Sequence, residues 1–220
     1  MEPVAPSRAG RIPAQTARGL PSRSRKELSD AEAVVVTESH DEDGLLVGCT
    51  GTGQDGAIRA GVAWPVPRFT NRGDGTVRDN LTGLIWLRHA SCFGAQAWEA
   101  ALQAANTLHD SGTPETTDDC GLSDGSAPGD WRMPQFKEMH SLVDLNFVGP
   151  ALSNAAGTAR WLEGDAFIAV EFNRYWTSST YAAIPSFAWG LYMNAGGNAD
   201  GLPKGAPGEA VYVWPVRGGD

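Results

Sequence analysis

Four aspartates, Asp118, Asp119, Asp124 and Asp130, fall within one polar, Gly-bearing stretch of the sequence and offer its best opening for chemistry. Two carboxylates held near each other can act as acid and base in a hydrolysis. A set of oxygens such as Asp118, Asp124 and Asp130 could also take up calcium, which needs six to eight oxygen ligands. EF-hand spacing is absent, however, and Asp-rich loops are more often solvated than metal-bound. His140 beside Ser141 supplies a base and a nucleophile by residue type. Neighbours on a helix point about 100° apart, and no GxSxG elbow is present. His89, His109 and His140 therefore read as surface or packing residues. Three cysteines, Cys49, Cys92 and Cys120, allow at most one disulfide with one thiol left over. No CxxC or His-x-x-x-His spacing supports a metal site on them. Arg72-Gly73-Asp74 has the composition of an integrin-type motif, but Gly73 and Gly75 suit a tight turn better. No enzyme emerges from these residues.

What remains is recognition. Trp176, Tyr181, Phe187, Trp189, Tyr192, Tyr212 and Trp214 concentrate near the end of the chain. Some of this set must pack the core; the outward members would be rigid anchors for a ligand. Along residues 188–194, period two puts Trp189, Leu191 and Met193 on one face and Tyr192 and Asn194 on the other, the second face being the exposed one. The candidate ligand-binding residues are Tyr181, Ile184, Ser186, Phe187, Tyr192, Asn194, Asn198, Asp200, Leu202 and Lys204.

Two apolar runs, residues 188–194 and 210–216, must position them, and read as adjacent strands of one sheet. Between them, residues 195–209 are too rich in Gly and Pro for helix or regular strand. Residues 180–187 form a second irregular tract. Rigid strands carrying two adaptable loops make a display surface.

Upstream, residues 1–33 lack apolar periodicity and read as a disordered leader or docking arm. Residues 34–61 suggest a hairpin around the acidic turn HDEDG, followed by a Gly-rich link, with the main domain spanning 62–220. There, residues 64–69 are extended, 71–75 and 80–83 are turns, and 76–79 and 84–87 are strands. Residues 97–109 form a helix with Trp98, Ala101, Leu102, Ala105 and Leu108 on one stripe. A second helix starts at Pro134 and runs to about Asn146, with Phe136, Met139, Leu142 and Val143 inward. Trp131 and Arg132, at its start, read as structural. Residues 166–172 suggest a further strand. The fold class is α+β.

Hydrophobic content of 41% over 220 residues, with eight Trp, suffices for a sizeable core. The formal charge is −9. Residues 1–30 carry a net +3, which leaves about −12 on the remainder. An acidic body disfavours nucleic acid and anionic membrane surfaces as partners. No run of about 18 apolar residues could span a membrane, and the first thirty residues lack the apolar stretch of a secretory signal, so the chain is cytoplasmic by default.

PRFTNRGDGTVRDNLTGLIWL, GDWRMPQFKEMHSLVDLN, YWTSSTYA, AWGLYMNAGG and YVWPVRGG occur in this order between residues 67 and 219. Together they resemble the bacterial Lcl C-terminal-like domain family. The resemblance covers residues 54–219 and implies a C-type-lectin-like fold of the formylglycine-generating-enzyme type. It further implies ligand binding without an established catalytic activity, to protein or to glycan, in some adhesins to sulfated polysaccharides. Related lectin-fold proteins vary in their C-terminal strands and loops, some through diversity-generating retroelements, and residues 181–209 occupy that place. Similar family members often carry cysteines at the positions of Cys92 and Cys120, which leaves a disulfide closing about 28 residues or two small buried thiols as alternatives. Where family members often pair two cysteines around the hairpin, Cys49 here faces Ser39; members are often secreted or surface-exposed, and the missing partner weakens that expectation. The family's WSS reads Trp176-Thr177-Ser178. Formylglycine-type oxidation needs cysteines in the C-terminal half, and none follows Cys120. A carboxylate hydrolase in the 118–130 loop and a purely structural assembly module are the competing readings.

Overall fold

The computed structural model describes residues 38–40, 46–48, 63–110, 120–205 and 211–218, the side chains of residues 38–40, 46–48 and 198–200 excepted. Two compact units divide the chain, residues 1–61 and 62–220. The first holds an antiparallel pair, β1 (Glu38–His40) and β2 (Leu46–Gly48). Ser39 is opposite Val47 in this ladder, not opposite Cys49, which lies outside the described residues, as does the expected leader.

Among the described residues, the second unit contains two four-stranded sheets and two helices. One sheet is a meander of β3 (Phe69–Asn71), β4 (Thr76–Asp79) and β5 (Ile85–Leu87), closed by β10 (Val216–Arg217) against β5. Its turns follow from local side-chain chemistry. The Asn71 Oδ1 accepts from the Gly73 N–H (2.9 Å), and Asp74 Oδ1 accepts from the Thr76 N–H (3.0 Å) and hydroxyl (2.5 Å). Side chains bonding the backbone two residues on are what make Asn and Asp turn formers. Gly75, at φ +82°, lies so close to the main chain of Gly121 that a Cβ would sit 2.3 Å from its carbonyl oxygen. The Arg-Gly-Asp tripeptide is thus a turn whose carboxylate is engaged internally.

The other sheet has the order β8 (Gly197–Pro203), β7 (Phe187–Tyr192), β6 (Arg174–Thr180), β9 (Val211–Tyr212), with β9 parallel to β6. Three expectations are corrected here. The two C-terminal apolar runs are not adjacent strands, because β6 lies between β7 and β9. Residues 210–216 do not form one strand: the chain leaves the second sheet after Tyr212 and joins the first at Val216, across Pro215, whose missing N–H cannot extend a ladder. The Gly/Pro-rich tract does contain a strand, β8, paired to β7 from Gly197 opposite Tyr192 to Pro203 opposite Phe187. Pro203 sits on an edge strand, where no ladder bond is lost on its outer side.

Helix α1 (Trp98–Thr107) buries Ala101 and Ala105 as its stripe requires. Helix α2 (Phe136–His140) stops far short of Asn146. The Ser141 hydroxyl donates to the Glu138 carbonyl (2.7 Å), and Asp144 Oδ1 accepts from the N–H (3.0 Å) and side-chain amide (2.8 Å) of Asn146. Such local bonds compete with helix propagation; Leu142 and Val143 reach the core from a turn instead. The expected strand at 166–172 is absent apart from a single bridge of Ile168 to His89. There Ala169 takes φ +52°, and the Glu163 carboxylate accepts from its N–H at 3.0 and 3.1 Å.

The core is aromatic. Phe167 packs edge-on to Phe69 (5.0 Å) and Trp214 (4.8 Å), and Trp214 edge-on to Trp86 (5.8 Å), its indole N–H donating to the Leu87 carbonyl (2.8 Å). Arg68 and Asp79, both fully buried, pair at 3.0 Å, and Arg68 also donates to the Ser141 carbonyl (2.8 Å). Burial lowers the Arg68 pKa; Asp79 and Asp144 work against that shift. Cys92 and Cys120 form a disulfide with their Cα atoms 5.8 Å apart. Closing a loop of this length contributes about 3 kcal/mol by chain entropy. Among the described residues no helix is long and apolar enough to cross a membrane.

Candidate functional site

Trp189 lies opposite an irregularity in both neighbouring strands. In β6 the pairing jumps from Trp176–Gly190 to Thr180–Ala188, leaving three residues of β6 against Trp189. In β8 it jumps from Ala199–Gly190 to Leu202–Ala188, leaving two, and Gly201 among them has φ +45°. An extra residue in a ladder bends the strand and re-aims side chains. On the β6 side, the Thr177 hydroxyl donates to the Trp189 carbonyl (2.7 Å), the Ser178 N–H to the Pro134 carbonyl (2.8 Å), and the Phe136 N–H to the Ser179 hydroxyl (3.0 Å). The bulge therefore docks the start of α2 onto the sheet.

That docking assembles a run of rings. Trp189 is 5.6 Å from Phe136 and 5.1 Å, edge-on, from Tyr181, and Phe136 stacks on His140 at 5.9 Å. Trp189, Phe136 and Tyr181 are half-buried and His140 is exposed. The short helix is held by a capping box of Gln135 and Glu138, and Arg132 grips the Glu138 carboxylate at 2.6 and 2.7 Å. Burial alone would raise the Glu138 pKa, but hydrogen bonds from Arg132 and Gln135 hold it below the usual carboxylate range. The same contact with Glu138 raises Arg132.

Beside the rings, residues 181–187 form a loop whose main chain bonds to itself. The Tyr181 N–H donates to the Phe187 carbonyl (2.9 Å), Ile184 to Tyr181 (3.1 Å), Phe187 to Ile184 (2.9 Å) and Lys204 to Ser186 (3.0 Å). Ala182, Ala183, Ile184, Pro185 and Ser186 are all exposed. Tyr181 and Phe187 lean over Gly201, where a Cβ would meet the Phe187 ring at 3.3 Å and the Tyr181 ring at 3.5 Å. Lys204 is held: its ammonium lies 4.0 Å from the Trp98 ring centroid and donates to the Thr180 hydroxyl (2.9 Å).

The ten residues singled out in the sequence do not form one site. Tyr181, Ile184, Ser186, Phe187, Leu202 and Lys204 gather at one end of the β7–β8 hairpin. Tyr192 and Asn194 are at the other, where the Asn194 carbonyl accepts from Gly149 (2.7 Å). Leu202 is half-buried against the cluster that includes Met133, Trp176 and Val211. The side chains of Asn198 and Asp200 lie outside the described residues. Along residues 189–193, Leu191 and Met193 are buried and Tyr192 is exposed, whereas Trp189 is half-buried. The sequence puts Trp189 in the aromatic set but on the inward face, and reads Phe136 and Trp98 as packing residues; the available signal for Phe136 is its four-residue spacing from His140.

The acidic loop is structural where it is described. Asp124 Oδ1 accepts from the Ser126 N–H (3.1 Å) and hydroxyl (2.6 Å), and its other oxygen lies 3.4 Å from Arg217, with the side chain 1% exposed. Asp130 accepts from the Ala127 N–H (2.8 Å). Asp118 lies outside the described residues, among which no group of three His, Cys, Asp or Glu is placed to hold a metal. In comparison with known proteins, the family model described as the Lcl C-terminal domain matches residues 75–217. No curated protein and no solved structure matches the chain.

Proposed function

The chain belongs to the Lcl C-terminal domain family, and from that premise we propose that it is a non-enzymatic recognition domain on a C-type-lectin-like scaffold. It binds a protein or glycan ligand through the end of the second sheet that carries residues 181–187, Trp189 and Lys204. The observation that carries this reading is the 181–187 loop. Its backbone is fixed by its own hydrogen bonds while five consecutive side chains face solvent. A loop of that kind separates folding from specificity, since exposed positions away from such bonds tolerate substitution within about 0.5 kcal/mol. On this reading, residues 181–209 are where sibling copies of the gene would differ if a retroelement diversifies it.

The test is a display library randomised at Ala182, Ala183, Ile184 and Ser186 in the full chain and panned on a mixed panel of proteins and neutral and acidic glycans. Most members should fold with thermal midpoints near that of the parent, and different targets should select different sequences. A library that is mostly unfolded, or in which no target selects a distinct sequence, would remove the proposal.

A further inference from the structure

The ring surface stands out electrically. The chain carries a net −9, yet the charged side chains described on α2 and beside Thr180 are cationic or internally neutralised. Glu138 is locked to Arg132 in a two-point ion pair. Lys137 follows Phe136 on α2, one turn from His140, is exposed, and its side chain has no ion pair or hydrogen bond among the described residues. Lys204 sits at the other side, beside Thr180, its positive charge undiminished by its contacts with a ring face and a hydroxyl. The neighbouring exposed chain is aliphatic, with Ile184 46% exposed between Ala183 and Pro185.

The geometry points to a partner of matching chemistry: a protein segment that seats an aromatic or aliphatic side chain against Trp189 and Phe136 and carries Asp or Glu on either side of it. Half-buried rings on a fixed strand and a capped helix lose little conformational freedom on binding, which suits them to receive an anchor side chain. Flanking cations on an otherwise acidic protein select the charge of the partner and speed the encounter. A sugar would want several free planar hydrogen-bonding side chains here, whereas Arg132 and Glu138 are already paired with each other and Gln135 is engaged in the helix cap, which leaves His140 alone on α2. The inference deepens the recognition reading and rests on it.

It can be tested with a phage-displayed random dodecapeptide library panned on the full chain and counter-selected on the Trp189→Leu chain. Enriched peptides should carry an aromatic residue or Leu with two or more Asp or Glu nearby. A representative one should bind at least tenfold more weakly to Lys137→Glu, a change at an exposed side chain that should keep the parent's thermal midpoint, and should weaken with salt. Leu145→Ser, at the far end of the hairpin, should leave its affinity unchanged. Enrichment without acidic bias, or equal affinity for the Lys137→Glu chain, would overturn the assignment. So would dextran sulfate displacing the peptide from the chain and binding Trp189→Leu as tightly as the parent, which would mark a polyanion site. If the acidic bias fails while the library at residues 182–186 still yields target-specific binders, only this inference falls; if neither yields binders, the recognition reading falls with it.

Discussion

The two ends of the β7–β8 hairpin are built on opposite plans. At the end that joins residues 181–187, the main chain satisfies itself and the side chains are left to solvent. At the turn end, the buried Met193 and Gly196 and the backbone of residues 193–194 are engaged by the body of the domain. Met193 is buried, its N–H donates to the Asn173 carbonyl (2.9 Å), and its carbonyl accepts from Ala151 (2.8 Å). Gly196, at φ +69°, is pressed so tightly that a Cβ would lie 2.5 Å from Val143 Cγ1 and 3.0 Å from Leu145 Cδ2. One hairpin thus has a fastened end and a free end, and the difference lies in what each end asks of its side chains. Composition does not reveal it, for both ends are rich in small residues.

That contrast can be broken or sharpened by substitution. Gly196→Val should be the most damaging, costing about 3 kcal/mol or more, since it combines positive φ with overpacking; urea denaturation would measure it, and a loss under 1 kcal/mol would remove the fastened end. Gly201→Ala, at the other end, should cost about 1 kcal/mol, because its φ is less demanding and the Phe187 and Tyr181 rings can move aside. Glu138→Gln should remove an acid-dependent component of stability. The folded-state pKa of Glu138 is depressed, so its contribution is present above the unfolded value of about 4.3 and disappears as pH falls through the lower folded value. A thermal melt series across that acidic window should show a shallower loss for the variant than for the parent. Ile184→Ser should be the mildest, within about 0.5 kcal/mol, by the same melts.

Local chemistry was legible in the sequence and non-local pairing was not. The Asn71–Thr76 turn could be read because Asn71 and Asp74 bond to neighbours two residues away. Helix α1 could be read because its stripe repeats over three turns. The overlong second helix came from apolar spacing alone, which says nothing of the bonds made by Ser141 and Asp144. Strand β8 was hidden because Gly and Pro usually break strands, and only its pairing with β7 makes one. The position of Trp189 followed from two bulges, each set by a partner strand. Period two puts Trp189 on the face of the buried Leu191 and Met193, and its half-open setting comes from Phe136 and Tyr181, distant in sequence, packing beside it. Tyr192, with no such irregularity at its own pair with Arg174, was placed outward and is exposed.

The passage of residues 211–217 from one sheet to the other makes this stretch a rivet through both: β9 closes an edge of one sheet against β6, and β10 an edge of the other against β5. Unseating it would open an edge of each sheet at once, so amides on both sheets should lose their protection from hydrogen exchange together.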